Sequence, residues 1–345
     1  LYSQASYALT SKMTLTAGAR YTREEKRAKV NNGAVFETLY PASNWVPGFE
    51  RDESLVEASV PTVLDDSKTW HRVTPSLGLD YQFSDKFIAY ISYAQGFKSG
   101  MFNPRAASAE PAVAPEIVDS VELGLKSQWF DRLRLNATVF TLEHRDRQFV
   151  TVLEGEGPGD LDQRLGNIGE SKAHGVELEM HLAATPYLNV QFALGQIDSE
   201  FTDALAYNGV DYDDISHRFS IIQTPEITAN LGLDYLIETS FGDVLLKGNY
   251  HYRTEYDLIV LDNLMSQPDV GLLNLSLNWI SADDTWRVAL HGKNLEDKRY
   301  LSGSFAFVTK DPDTGAYVPG LAGDYILNGY YGEPRTLALT FEYQF

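Results

Sequence analysis

Apolar side chains recur at every second position along most of this chain. In residues 13–21, Met13, Leu15, Ala17, Ala19 and Tyr21 share one parity, while Thr14, Thr16, Gly18 and Arg20 take the other. Leu77, Leu79, Tyr81 and Phe83 alternate with Ser76, Gly78, Asp80 and Gln82 in the same way, and Val176, Leu178, Met180 and Leu182 alternate with Glu177, Glu179 and His181. The last segment repeats the pattern, with Leu337, Leu339, Phe341, Tyr343 and Phe345 set against Ala338, Thr340, Glu342 and Gln344. A period of two is that of a strand with one apolar and one polar face. No segment sustains a 3.6 period, so almost no helix is expected.

The connections sort by length. Tight turns rich in Ser, Thr, Asp, Gly and Pro fall at 9–13, 83–87, 130–133, 184–188, 239–244 and 281–286. Between them lie long polar stretches near 27–68, 98–115, 151–165, 200–220, 257–270 and 295–333. Short turns at one end and long loops at the other mark a transmembrane up-and-down antiparallel β-barrel, whose apolar face is covered by lipid. Phe83, Phe87, Trp129, Phe130, Tyr187, Trp279 and Trp286 sit beside the short turns, where an interfacial girdle belongs. Glu177, Glu179, Lys247 and Arg253 fall on polar faces, which suits a water-filled lumen and not a packed core.

Counted this way, thirteen strands are expected, near 1–9, 12–26, 69–83, 86–97, 116–129, 132–149, 165–184, 187–200, 221–239, 243–257, 270–281, 285–294 and 334–345. Single-chain bacterial barrels are even-numbered. Residues 1–345 are therefore expected to be a partial barrel, its C-terminal strands with about six extracellular loops.

Composition narrows the function classes. A formal charge of −20 over 345 residues repels nucleic acid, and the absence of cysteine removes disulfides and thiolate metal sites. No run of about eighteen apolar residues exists to cross a bilayer as a helix. No nucleophile elbow, Walker loop, dinucleotide fingerprint or HExxH occurs, so neither an enzyme nor a cofactor is expected. His217 beside Asp213 and Asp214 is the one faint constellation.

"YISYAQGFKSGMFNP" (90–104), "PEIVDSVELGLKSQWFDRLRLNATVF" (115–140), "NIGESKAHGVELE" (167–179), "HGKNLEDKRY" (291–300) and the terminal "GEPRTLALTFEYQF" closely resemble, in order, the barrel of TonB-dependent outer-membrane receptors. The family's complete barrel has twenty-two strands around an N-terminal plug, which would make these thirteen the tenth through twenty-second. Neither a plug nor a TonB box is visible in the sequence. The resemblance implies a Gram-negative outer membrane and energy-coupled uptake of a scarce small molecule or metal chelate, such as an iron-siderophore complex or cobalamin. It further implies TonB with ExbB and ExbD acting through the plug, and insertion by the barrel assembly machinery, which reads a C-terminal strand carrying Phe341, Tyr343 and Phe345. A passive porin-like channel and a loop-mediated adhesin are the competing readings.

Candidate ligand contacts lie where strands meet long loops. "GFKSGMFN" offers Phe97, Lys98, Met101 and Phe102, apolar and cationic groups suited to an anionic, aromatic ligand. The plainer reading stands first: the block shapes the strand end, with Gly96 and Gly100 relieving the bend. His217 and Arg218 in "SHRF" and Phe305 in "SGSFAFV" are weaker candidates of the same kind. Trp45, Phe49 and Trp70 in and beside the first long loop are expected to fold over the mouth. "DYDD" (211–214) and "DPDTG" (311–315) read as solvated turns before calcium loops, and Glu177, Glu179 and His181 as hydrated lumen wall before a cation site.

Overall fold

A computed structural model describes residues 1–31, 62–105, 109–154, 161–167, 169–207, 212–260, 262–310, 317–319 and 326–344. Thirteen strands form one antiparallel sheet in which each inner strand pairs with the preceding and following wall strand, while the first and last each have one partner. They are Tyr2–Ala8, Met13–Asn31, Thr62–Ser84, Phe87–Lys98, Glu116–Trp129, Leu133–Arg145, Glu170–Ala183, Leu188–Asp203, Ile227–Thr239, Gly242–Arg253, Val270–Ser281, Trp286–Lys293 and Thr336–Tyr343. Each overlaps a strand expected from the alternation. Among the described residues the helical content is one 3₁₀ turn at Ser216–Arg218.

Register carries the two faces from strand to strand. Leu15 lies opposite Leu79, Leu79 opposite Ile91, Ile91 opposite Leu123, Leu123 opposite Val139, and Val139 opposite Val176. One position along, Asp80, Tyr90, Gly124, Thr138 and Glu177 form the matching polar row. A slip of one residue in any pair would exchange the faces, so the apolar band fixes the register. On the polar side Tyr90 lies over Gly124, where a Cβ would fall 2.3 Å from its ring, and its hydroxyl is 3.3 Å from Thr138 Oγ1. Asn136 Nδ2 donates to Glu179 Oε2 at 3.3 Å, and the described residues contain no group of three His, Cys, Asp or Glu able to hold a metal ion.

The short turns carry the expected aromatics. Phe83 stacks on Phe87 at 5.0 Å, and Trp286 packs against both Phe341 (5.1 Å) and Tyr343 (4.4 Å) of the last strand. Phe130 and Asp131 both adopt positive φ, the geometry of a two-residue hairpin turn, and Lys86 Nζ holds Asp131 Oδ1 at 2.6 Å. Phe345 lies outside the described residues.

The loop ends differ from expectation in three places. The second and third strands run on to Asn31 and back from Thr62, 19 and 23 residues long, so part of the expected 27–68 loop is a paired ribbon. The expected 132–149 strand stops at Arg145, because Asp146 takes φ 56° and turns the chain out of the sheet. Residues Gln148–Glu154 then pair with Leu161–Asn167 as a separate hairpin, which claims the front of the expected 165–184 strand. Likewise Tyr256–Asp257 leaves the wall to pair with Ser266–Gln267.

Candidate functional site

Three of the sequence blocks that carry the resemblance, 90–104, 115–140 and 167–179, meet where the loops join the wall, and two carboxylates organise that junction. Glu116 opens its strand after Pro115 and is buried. Its Oε1 accepts from Lys98 Nζ at 2.7 Å and from the Gln148 backbone N–H at 2.9 Å, while its Oε2 lies 2.9 Å from His144 Nε2. One carboxylate thus ties three chain segments together. Three residues on, with side chain on the opposite face, Asp119 accepts from Tyr93 Oη at 2.6 Å, Gln95 Nε2 at 2.8 Å and the Arg145 guanidinium. Gln95 in turn accepts from Arg72 at 3.1 Å. Charge-assisted bonds of this kind are stronger than neutral ones and hold the strand ends together.

Above the membrane the pattern of the long ribbon inverts. Even-numbered Val30, Leu64 and Trp70, on the parity that is polar lower down, form a buried cluster with Phe102 and Ala112 of the 98–115 connection, and Phe97 packs against it. A Cβ at Gly100 would fall 2.1 Å from Val113 O and 2.5 Å from the Trp70 ring, so only glycine permits this approach. Lys26 and Lys68, registered directly opposite each other, flank Trp70 at 6.0 and 5.6 Å and donate to Gly100 O (3.0 Å) and Ala112 O (3.3 Å). Asn167 completes the junction. Its Oδ1 accepts from Ala114 N at 2.7 Å, and its Nδ2 donates to Ala114 O at 3.0 Å and Asp146 O at 2.7 Å.

Two further cation–aromatic groups line the rim. The Arg147 guanidinium sits 5.3 Å from Phe149 and 4.6 Å from Phe201, both packed on Phe219, and donates to Ser171 Oγ at 3.0 Å. Burial among the rings pushes its pKa down from the usual guanidinium value. Arg253 stacks on Tyr256 at 4.8 Å and Tyr300 at 5.6 Å. In "KNLEDKRY", Asn294 Nδ2 donates to Lys298 O at 2.9 Å and Glu333 O at 3.1 Å. Asp297 accepts from Arg335 N at 3.0 Å, so this block ties its loop to the start of the last strand.

The sequence candidates fall as follows. Phe97 and Phe102 belong to the Trp70 cluster, Met101 is half-buried beside it with its carbonyl accepting from Val113 N at 2.9 Å, and Lys98 is half-exposed on Glu116. His217 is exposed on the 3₁₀ turn and lines an open pocket of about 850 Å³ with Asp198, Glu200, Glu226, Glu255 and Asp257. Arg218 reaches Asp262 through Nε at 2.7 Å and Nη2 at 2.5 Å. Phe305 lies in a loop sheet, 5.9 Å from Tyr330. The four sequence candidates of the 97–102 block join the wall junction; His217, Arg218 and Phe305 lie on other loops. Asp214 serves as a turn acceptor, its carboxylate held low by the backbone N–H and hydroxyl of Ser216. Trp45, Phe49 and "DPDTG" lie outside the described residues. Sequence reasoning missed Glu116, Asp119, Arg147 and Asn167, whose partners include residues as distant as Phe201 from Arg147 and Ala114 from Asn167.

The family model for the β-barrel of TonB-dependent receptor-like proteins matches residues 1–295. The pesticin receptor of Yersinia enterocolitica is 28% identical over 239 residues, 66% of this chain and 32% of that protein. The ferric-pyoverdine M114 receptor PbuA of Pseudomonas sp. strain M114 is 27% identical over 279 residues, 79% of this chain and 30% of that protein. Among solved structures, the ferric yersiniabactin uptake receptor FyuA from Yersinia pestis superposes with a TM-score of 0.71 at 19% identity, covering 98% of this chain and 44% of that one. The siderophore receptor PiuA from Acinetobacter baumannii gives 0.69 at 18% identity, covering 99% and 42%. This chain spans about a third of the length of the curated relatives named.

Proposed function

We propose that this chain, which belongs to the TonB-dependent receptor β-barrel family, forms the wall and outer mouth of a receptor that takes up a ferric siderophore by TonB-coupled transport. Like the family, it resides in the outer membrane of a Gram-negative bacterium. Relatives named as receptors for pesticin, ferric pyoverdine and ferric yersiniabactin support the reading, and make an iron chelate a better expectation than cobalamin. TonB, driven by ExbB and ExbD, engages a plug domain distinct from this wall, and the barrel assembly machinery inserts the strands.

The observation that carries the ligand class is the lysine pair at the mouth. Like charges directly opposite in a sheet destabilise it, yet Lys26 and Lys68 occupy opposite positions on the lumen-side parity of a chain with net charge −20. Glu24 Oε1, 3.2 Å from Lys26 Nζ, answers one of the two charges, and an anionic chelate arriving at the mouth would answer the other. Met101 and His217 are further contacts in this reading, and Arg253 with its two tyrosines offers a cationic, aromatic shelf. Equilibrium binding of a panel of ferric siderophores to the outer-membrane protein tests it. Lys26→Gln with Lys68→Gln should weaken the best-bound chelate about tenfold and flatten its salt dependence, since one half-buried and one exposed charge contact contribute together roughly 1–2 kcal/mol. Unchanged affinity in the double variant would remove the anion site, and no binding by any ferric chelate would remove the function.

A further inference from the structure

We propose that the upper edge of the Leu188–Asp203 strand is a docking site for an extended cationic peptide of another polypeptide, which joins the wall as an added strand. This strand keeps its partner on one side up to Asp203, but on the other side its pairing with the Ile227–Thr239 strand ends at Gln196, opposite Ile227. Ile197 N still donates to Glu226 O at 2.9 Å. Backbone groups along an antiparallel strand point to alternate sides, so those of Ser199 and Phe201 point the same way as those of Ile197, and no strand or loop among the described residues hydrogen-bonds them there. The segment that could have covered them is drawn elsewhere. Gln223 takes φ 57° and its N–H donates to Asp257 O at 2.9 Å, Ser220 N donates to Val260 O at 2.7 Å, and Pro225 has no N–H to offer.

What is left is an open slot of about 850 Å³, bounded by this edge and by residues from 216–226 and 255–257. Ser199 stands eleven positions beyond Leu188, where the strand leaves its short turn. At about 3.3 Å per residue and a tilt near 40° that is a climb of roughly 28 Å, past the ~25 Å apolar band, so the slot opens to water on the outer side. Asp198, Glu200, Glu226, Glu255 and Asp257 line it, no lysine or arginine does, and His217 is its one basic side chain. On the neighbouring strand His174 lies 3.6 Å from Asp198, whereas Lys172, opposite Glu200, is turned to Glu143 at 3.4 Å, which leaves Glu200 without an ion pair among the described residues. Unpaired backbone donors and acceptors recruit a strand, and the carboxylates choose which one. A strand docked beside Ser199 sets its flanking residues opposite Asp198 and Glu200, with Cβ atoms about 5 Å apart. Cations at those two positions, i and i+2 of the peptide, match, and carboxylates there are repelled.

The slot lies five strands around the wall from the ribbon that carries Lys26 and Lys68, so this site and the siderophore reading can fail separately. The test is fluorescence anisotropy of the labelled peptide Thr-Lys-Val-Lys-Thr with the outer-membrane protein in detergent, beside Thr-Glu-Val-Glu-Thr and the lysine peptide methylated on its valine nitrogen. The lysine peptide should bind and the glutamate peptide should not. The methylated peptide lacks the donor for Ser199 O and should bind about fivefold more weakly. Ser199→Pro removes the free donor of the edge, leaves the ladder to the Glu170–Ala183 strand in place, and should weaken binding by a similar factor. Glu200→Gln should weaken it roughly two- to fivefold, as expected for one exposed charge pair. If Ser199→Pro inserts poorly, the methylated peptide still decides. Equal binding of the methylated and parent peptides would overturn strand addition, and equal binding of the lysine and glutamate peptides would overturn the charge match. No binding by any of the three would remove the site. A protein dimer that the lysine peptide dissociates would make the occupant a second copy and overturn the one assigned.

Discussion

Arginine placed at Leu178 measures whether the apolar parity faces hydrocarbon. Leu178 lies opposite Ala137 on one side and Leu194 on the other, inside the apolar band. It stands five positions from Ala183, where its strand meets the short turn. At about 3.3 Å per residue and a tilt near 40°, five residues climb roughly 13 Å, half of the ~25 Å apolar band. A charge at that depth costs about 2–4 kcal/mol. Glu179, one residue on, faces the other way and receives Asn136 Nδ2; glutamine keeps an acceptor oxygen there, so Glu179→Gln should change stability by less than about 0.5 kcal/mol. The assay is urea titration of the barrel folded into lipid vesicles, with each variant compared at equal lipid. Cysteines placed singly along Ala173–Leu182, in a chain with none of its own, should react with a bilayer-restricted probe at even positions and a water-soluble reagent at odd ones. If Leu178→Arg stays within about 1 kcal/mol of the parent, or the cysteine profile repeats every third or fourth residue, the face assignment is wrong.

Glu116→Gln should raise protease cleavage within 98–115 several-fold while leaving the membrane band intact, because it weakens the tie to half-exposed Lys98 and to His144; a loss of about 1–2 kcal/mol locally is expected. Two glycines give a paired test by the same urea titration. Gly175→Ala brings a Cβ within 2.3 Å of Gln196 O and 2.8 Å of the Phe140 ring and should cost about 1–3 kcal/mol, whereas Gly78→Ala meets nothing within 4 Å and should be near neutral.

The wall was legible because lipid and water enforce an alternation that every wall strand must obey, from Met13 to Tyr21 and again at the last strand. Strand ends were not, since above the membrane that constraint lapses. The ribbon 13–31 and 62–84 carries on with Val30, Leu64 and Trp70 on the formerly polar parity, covered by a loop that only the fold brings near. The break at Asp146 had a local signal, an aspartate in "HRDRQ" able to take positive φ, but the apolar residues following it continued the period and hid the turn. Glu116 and Asn167 gave no local sign at all, because their meaning lies in partners at Lys98, His144 and Ala114. The motif residues that carried the family resemblance, Gly124, Gly175, Asn294 and Asp297, turn out to serve close packing and loop attachment.

The long ribbon also fixes a height. Its 23-residue strand extends about 76 Å, or roughly 58 Å along the membrane normal at the usual tilt. With a ~25 Å band in lipid, the tip stands about 30 Å above the cell's outer leaflet. The 98–115 connection climbs with it, since Phe102 and Ala112 pack on Val30 and Leu64 at its upper end, so the rim of the wall is itself lifted clear of the outer leaflet and is what a descending particle, antibody or toxin touches first.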